Sequence, residues 1–194
     1  CLFEKLSSVK DKNDNHAVFT AFSVPININF EKMVQEGYKI YHNELLPFTF
    51  NKLSALDPKS YQGTWSLWKE GMKKNLIHPE FHGREHFNLK IFNEKLKSRD
   101  EELITALNNR SLPGLSNTGC SSISFTGAFE FDKFEENYDF QTVIEDGLNA
   151  FEQVFGFRAR HFNPPGGREH PIIHQFLKDQ GIQYLDTPLI KKEH

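Results

Sequence analysis

Apolar positions along the chain switch repeatedly between a helical and an extended period, and the order of the switches predicts alternating helices and strands. Leu2, Phe3, Leu6 and Val9 fall at helical spacing, and the polar run Lys10 to Asn15 ends that helix at a turn. His16 to Val24 is short, apolar and rich in β formers, and Pro25 closes it, which predicts a strand buried on both faces of a parallel sheet. Residues 26–60 are mixed and Phe-rich, with Pro47 and Pro58 inside them, and read as a long excursion of short helical pieces suited to a binding loop. From Ser60 to Asn75, Trp65, Leu67, Trp68 and Met72 support an amphipathic helix, and Leu76-Ile77-His78 starts the next strand. Leu89, Phe92, Leu96, Leu103 and Leu107 follow on a broken helical period as far as the turn Ser111-Leu112-Pro113-Gly114. Residues 114–132 carry Gly, Ser and Phe without a period and read as a second long loop.

The strongest helical pattern runs from Tyr138 to Phe155, where Phe140, Val143, Ile144, Leu148, Phe151, Val154 and Phe155 form one stripe and Gly156 stands as its stop. A strand Phe157 to Phe162 comes next, then the turn Asn163-Pro164-Pro165-Gly166-Gly167, a helix Glu169 to Gln180 stopped by Gly181, and a strand Ile182 to Asp186. This order predicts an α/β fold with right-handed βαβ units. The tetrapeptide Gly83-Arg84-Glu85-His86 recurs as Gly167-Arg168-Glu169-His170, too short a match to mark a duplication.

Bulk properties narrow the function classes. A chain of 194 residues with 38% hydrophobic content supports one domain over 1–194, since a single core is sustained to roughly 250 residues. A net charge of -3 with intermixed signs gives no basic stripe for a phosphate backbone, so nucleic acid is not an expected partner. No apolar run reaches the ~18 residues of a membrane span, and the N-terminus carries no signal-peptide pattern. The sequence opens at Cys1 without Met, which reads as a trimmed or partial chain; a lipid-modified Cys1 is disfavoured by the apolar pair directly after it. Cys1 and Cys120 leave the redox compartment and their own pairing open. The 19 Phe suit a ring-rich core or a cleft that stacks on sugar faces, with core the favoured use.

Chemistry concentrates in His78-Pro79-Glu80-Phe81-His82-Gly83-Arg84-Glu85-His86. His82 and His86, four residues apart, can present both imidazoles to one divalent metal from a helical turn or a tight loop, at a predicted strand end where parallel α/β folds place their sites. A zinc-protease reading fails on order, since that motif needs H-E-x-x-H within a helix, whereas Glu85 directly precedes the second histidine and Gly83 weakens a helix. His170 and His174 repeat the spacing on a helix and read as surface residues. The glycines of the Pro164-Pro165-Gly166-Gly167 turn let the backbone approach a ligand and offer N–H donors for an oxyanion, although a purely structural turn would look the same.

In this order the parts resemble the polysaccharide deacetylase (NodB-homology) family. His82-Gly83-Arg84-Glu85-His86 matches the two ligands of its His-Ser/Thr-x-x-His motif but lacks the hydroxyl residue. Phe155-Gly156-Phe157-Arg158 through Asn163-Pro164-Pro165-Gly166-Gly167 follows its groove-wall motif with Asn163 in the arginine's place, and Gly181 to Thr187 resembles its strand ending in Asp. The resemblance implies a distorted, incomplete (β/α) barrel and a metal-dependent hydrolase that removes N- or O-acetyl groups from a carbohydrate. It further implies a divalent metal, zinc by ligand type, held by His82 and His86, a backbone oxyanion donor at Gly166, a catalytic role for Asp186, and a place in the cell envelope or outside the cell. Arg84 or Arg168 would orient carboxylates or stand as solvated charges. The family's Asp-Asp pair, which supplies a base and a metal ligand, and its late general-acid histidine have no counterpart between Cys1 and His194, so the resemblance covers the middle of such a domain. The alternative is a non-catalytic domain that keeps this fold and binds glycan or a protein partner.

Overall fold

The computed structural model describes residues 2–112, 115, 123–137 and 139–187. Its helices are α1 (Leu2–Ser8), α2 (Phe30–Gln35), α3 (Leu46–Leu56), α4 (Pro58–Tyr61), α5 (Thr64–Lys73), α6 (Leu89–Lys97), α7 (Glu101–Asn108), α8 (Phe140–Phe155) and α9 (Ile172–Asp179). Its strands are β1 (Phe19–Ser23), β2 (Ile26–Ile28), β3 (Asn43–Leu45), β4 (Ile77–Phe81), β5 (His161–Phe162) and β6 (Tyr184–Leu185). Cys1 and Cys120 lie outside the described residues, so the question of their pairing does too.

The chain is an α/β protein. β1, β4, β5 and β6 form a four-stranded parallel sheet in that spatial order, and β2 pairs antiparallel with β3. Among the described residues this sheet is open, with β1 and β6 at its edges; the expected barrel closure is not seen there. The expectation that the first strand is buried on both faces does not hold, because β1 is an edge strand in which Ala21 is buried while Phe19 is 49% exposed. β5 and β6 are two residues each, shorter than the apolar runs around them; residues 158–160 ahead of β5 are in no strand.

Two cores hold the elements together. Phe81 and Phe162, neighbours on β4 and β5, pack against Ile144, Leu148 and Phe151 of α8 and Ile173 and Leu177 of α9, all buried. Each such ring or aliphatic side chain stabilises the fold by roughly 1.5–3 kcal/mol relative to exposure. Trp65 and Trp68 of α5 extend this core onto Phe155, whereas Leu67 faces solvent. The second core joins Ile28, Met33 and Tyr38 of the excursion to Phe92, Leu96, Leu103 and Leu107 of α6 and α7. The excursion is therefore a packed hairpin-and-helix unit rather than a free binding loop, pinned further by Lys52, which pairs with Glu31 and Glu44.

Glu80 shows how so short a β5 is held in place. Its buried side chain reaches past β4, and Oε2 accepts the backbone N–H groups of Arg160 and His161, both at 2.9 Å. The carboxylate thus does the work of ladder carbonyls that the short strand pairing does not supply.

Candidate functional site at the strand ends

His82, Asn163 and Asp186 are each the first residue past the C-terminal end of β4, β5 and β6. Their backbones continue the ladder: His82 donates its N–H to the Ser23 carbonyl at 3.1 Å, Asn163 to Phe81 at 3.1 Å and Asp186 to Phe162 at 3.0 Å. Three polar side chains are thereby lined up on adjacent strands by sheet register alone.

The segment after His82 is a loop, and Gly83 is what allows it to turn. Its φ of +86° lies in the left-handed region, and a Cβ there would meet Pro165 Cγ at 2.8 Å, so the histidine loop rests directly on the Pro-Pro-Gly-Gly turn. His82 and His86 come together as expected, with ring centroids 4.9 Å apart. His82 Nδ1 donates to the Asn163 carbonyl at 2.7 Å, a bond that leaves Nε2 with its lone pair. Burial chiefly lowers the His82 pKa, the neighbouring His86 adds to this, and the Asn163 carbonyl opposes it.

The residues between the two histidines brace the loop. Arg84, read from sequence as a carboxylate orienter or a solvated charge, is largely buried and binds Glu85 Oε1 through Nε at 2.7 Å and Asp146 Oδ2 of α8 through Nη1 at 3.1 Å. Burial raises the pKa of the Glu85 carboxyl, against the opposing pull of the Arg84 charge. Tyr41 of the excursion is partly buried with its hydroxyl buried; burial, then the Glu85 charge, pushes its phenol well above the usual range. Arg168 is engaged elsewhere, on Glu130.

On the other side of Asn163, Asp186 is clamped from both oxygens. Asn163 Nδ2 donates to Oδ2 at 2.9 Å, and His161 Nε2 meets Oδ1 at 2.8 Å. The Asn163 hydrogen bond is the main cause holding the Asp186 carboxyl below its ordinary pKa, with His161 adding to it. The His161 ring stands edge-on to Phe22 of β1 and to Tyr184 of β6, with centroids at 4.9 and 6.0 Å. His161 escaped the motif-based reading of the sequence, and Asn163 entered it only in an arginine's place ahead of the Pro-Pro-Gly-Gly turn. The available signal is the alternation His161-Phe162-Asn163, a core ring flanked by two polar residues that must share the opposite face.

Gly166 sits in a short 3₁₀ turn, exposed, and a Cβ there would meet the Thr126 carbonyl at 2.9 Å, so the loop at 123–131 fits closely against it. His170 and His174 stay apart from this site: His170 is exposed against Phe131, and His174 pairs with Glu169 at 2.5 Å.

A divalent ion fits this donor set in part. His82 offers an oriented Nε2 and His86 an adjacent ring, but among the described residues no cluster of three or more His, Cys, Asp or Glu is arranged to hold a metal. Among the described residues no helix is long and apolar enough to cross a membrane.

Fold and site together define an α/β protein with imidazoles, an amide and a carboxylate gathered at the C-terminal ends of parallel strands. No protein-family model matches the chain, and no curated protein matches it. Among solved structures it is similar to that of IcaB from Ammonifex degensii, at 13% identity over 66% of this chain and 47% of that one, with a TM-score of 0.38. The chain thus spans about half the length of that structure.

Proposed function

We propose that this chain belongs to a metal-dependent hydrolase that removes an acetyl group from a carbohydrate. The observation that carries the reading is the His82–His86 pair at the end of β4, with the His82 tautomer set by the Asn163 carbonyl. The order of the histidine motif, the Pro-Pro-Gly-Gly turn and the strand ending in Asp186 supports the carbohydrate half of the reading.

In this reading His82 and His86 hold the ion, and a further protein ligand comes from outside the described residues. A bound divalent ion, zinc by ligand type, supplies polarisation of the acyl carbonyl and acidification of a water molecule. Asn163 keeps the His82 Nε2 lone pair available. The Gly166 N–H donates to the oxygen on which negative charge develops. Asp186 holds His161 at the neighbouring strand end.

The test is zinc content and deacetylation of an N-acetylglucosamine oligomer by the full-length protein. His82→Ala and His86→Ala are each expected to lower both, beyond the roughly 10–100-fold that loss of an outer hydrogen-bond partner produces. Unchanged zinc content and turnover in both variants would overturn the reading. The second reading, a non-catalytic glycan-binding domain, draws on the two-residue donor set; it predicts glycan binding in wild type with no zinc and no turnover.

A further inference from the structure

We propose that the cavity between the α2–β3 link and the C-terminal end of α6 binds a small phosphate monoester. The inference is independent of the hydrolase reading, since none of His82, His86, Asn163 and Asp186 lines this cavity. It measures about 410 Å³, within the range that takes a small organic ligand, and no Asp or Glu lines it. Lys39, Lys97 and Arg99 stand exposed around it, and Ile40 and Leu96 give it an apolar wall. Neither lysine forms an ion pair among the described residues, because the carboxylates close in sequence are already taken. Glu94 pairs with Lys90 at 3.0 Å, Asp100 with Lys95 at 3.1 Å, and Glu36, which also feels the Lys39 charge, with His42 at 2.6 Å.

Arg99 is the fixed member of the three. Its Nη1 donates to the Gly37 carbonyl at 2.5 Å, and its guanidinium carbon stands 5.9 Å from the centre of the Tyr38 ring, whose hydroxyl donates to Asn108. Tyr38 and Arg99 both hold a φ of +58°, a left-handed backbone that a bulky residue keeps only where its contacts impose it. The guanidinium is therefore held in place with donors to spare, and a preoriented fork loses little freedom on meeting phosphate oxygens. Charge decides the class of anion. α2 and α6 both end beside the cavity, and each helix C-terminus carries about half a negative charge, so the two offset about one of the three cations. About two positive charges remain. A carboxylate brings a single negative charge, whereas a phosphate monoester brings about 1.5–2 near neutral pH and matches that surplus. Inorganic phosphate leaves the Ile40 and Leu96 wall bare, so an ester with an apolar or ring-shaped body fits better.

The test is an amide NMR titration of the full-length protein at low ionic strength with phenyl phosphate, and with inorganic phosphate, benzoate and phenol as the separate parts of that probe. Phenyl phosphate is expected to give saturable shifts at Tyr38 to Ile40 and at Lys97 to Arg99. Inorganic phosphate and benzoate are expected to bind there about tenfold more weakly or worse, and phenol not at all. Lys39→Gln and Lys97→Gln, both at exposed positions, are each expected to weaken phenyl phosphate by about tenfold, and Arg99→Lys, which keeps the charge but loses the fork, to weaken it as well. No saturable shift with phenyl phosphate, shifts confined to other residues, or equal affinity in both lysine variants overturns the proposal and leaves the three cations as counter-charges to the helix ends. Benzoate binding as tightly as phenyl phosphate overturns the choice of phosphate. Zinc content and turnover take no part in the measurement, so its failure says nothing against the hydrolase reading.

Discussion

At the scale of single residues, the site is a set of side chains whose states are set by what touches them. His82 is the clearest case, because burial favours its neutral ring and the Asn163 carbonyl selects the Nδ1–H tautomer. The sign of the pH effect follows. The folded pKa lies below the model-compound value of 6.5, so on acidification the unfolded chain takes up this proton first, and stability present above that value is lost as pH falls through it. Chelator-treated wild type is expected to lose more stability between about pH 7.5 and 5.5 than His82→Gln, measured by urea denaturation at both values. Parallel losses in the two proteins would refute this. The pair His82 and His86 was legible in the sequence because spacing alone brings two rings together. His161 was not, because its partner Asp186 is 25 residues away and meets it only through the pairing of β5 with β6.

At the scale of elements, α8 is both the main wall of one core and a support for the histidine loop. Gly147 lies where the two duties meet: a Cβ there would stand 2.8 Å from Arg84 Cβ and 2.9 Å from Phe81 Cζ. In an exposed helix interior Gly→Ala stabilises by about 1 kcal/mol. Here overpacking opposes that gain by about 1–3 kcal/mol, and the displaced neighbours are a core ring and the backbone-proximal carbon of Arg84. Gly147→Ala is therefore expected to lower stability by about 1–2 kcal/mol and to weaken zinc binding by disturbing the loop between His82 and His86. Thermal melts together with zinc titration measure both, and a more stable variant would show the helix yielding instead. The helical stripe of α8 and its stop at Gly156 could be read directly, since a 3.6-residue period needs no tertiary partner to be visible. Its start lies at Phe140, two residues inside the predicted one, behind Asp139, whose side chain makes no capping hydrogen bond.

At the scale of the whole molecule, the sheet separates structure from chemistry by face. Phe81 and Phe162 point into the core under α8 and α9, while Phe22, His161 and Tyr184 make their ring contacts together with the polar side chains at the strand ends. Phe162→Ala is expected to destabilise the protein by about 3–5 kcal/mol, since it leaves a ring-sized void between β4, β5 and α8. It is also expected to reduce zinc binding, because Asn163 and His161 flank that ring, and equilibrium unfolding with zinc titration checks both effects. The sequence by itself determined the α/β class, most helices and the histidine pair, because periodicity and i to i+4 spacing are local properties of the chain. Only the tertiary structure decided that β1 stands at the edge of the sheet among the described residues, that the Phe-rich excursion is a packed unit, and that Arg84 is braced against α8. The same holds for the frame from His82 through Asn163 and Asp186 to His161, whose members become neighbours through sheet register, a relation between strands that no local pattern encodes.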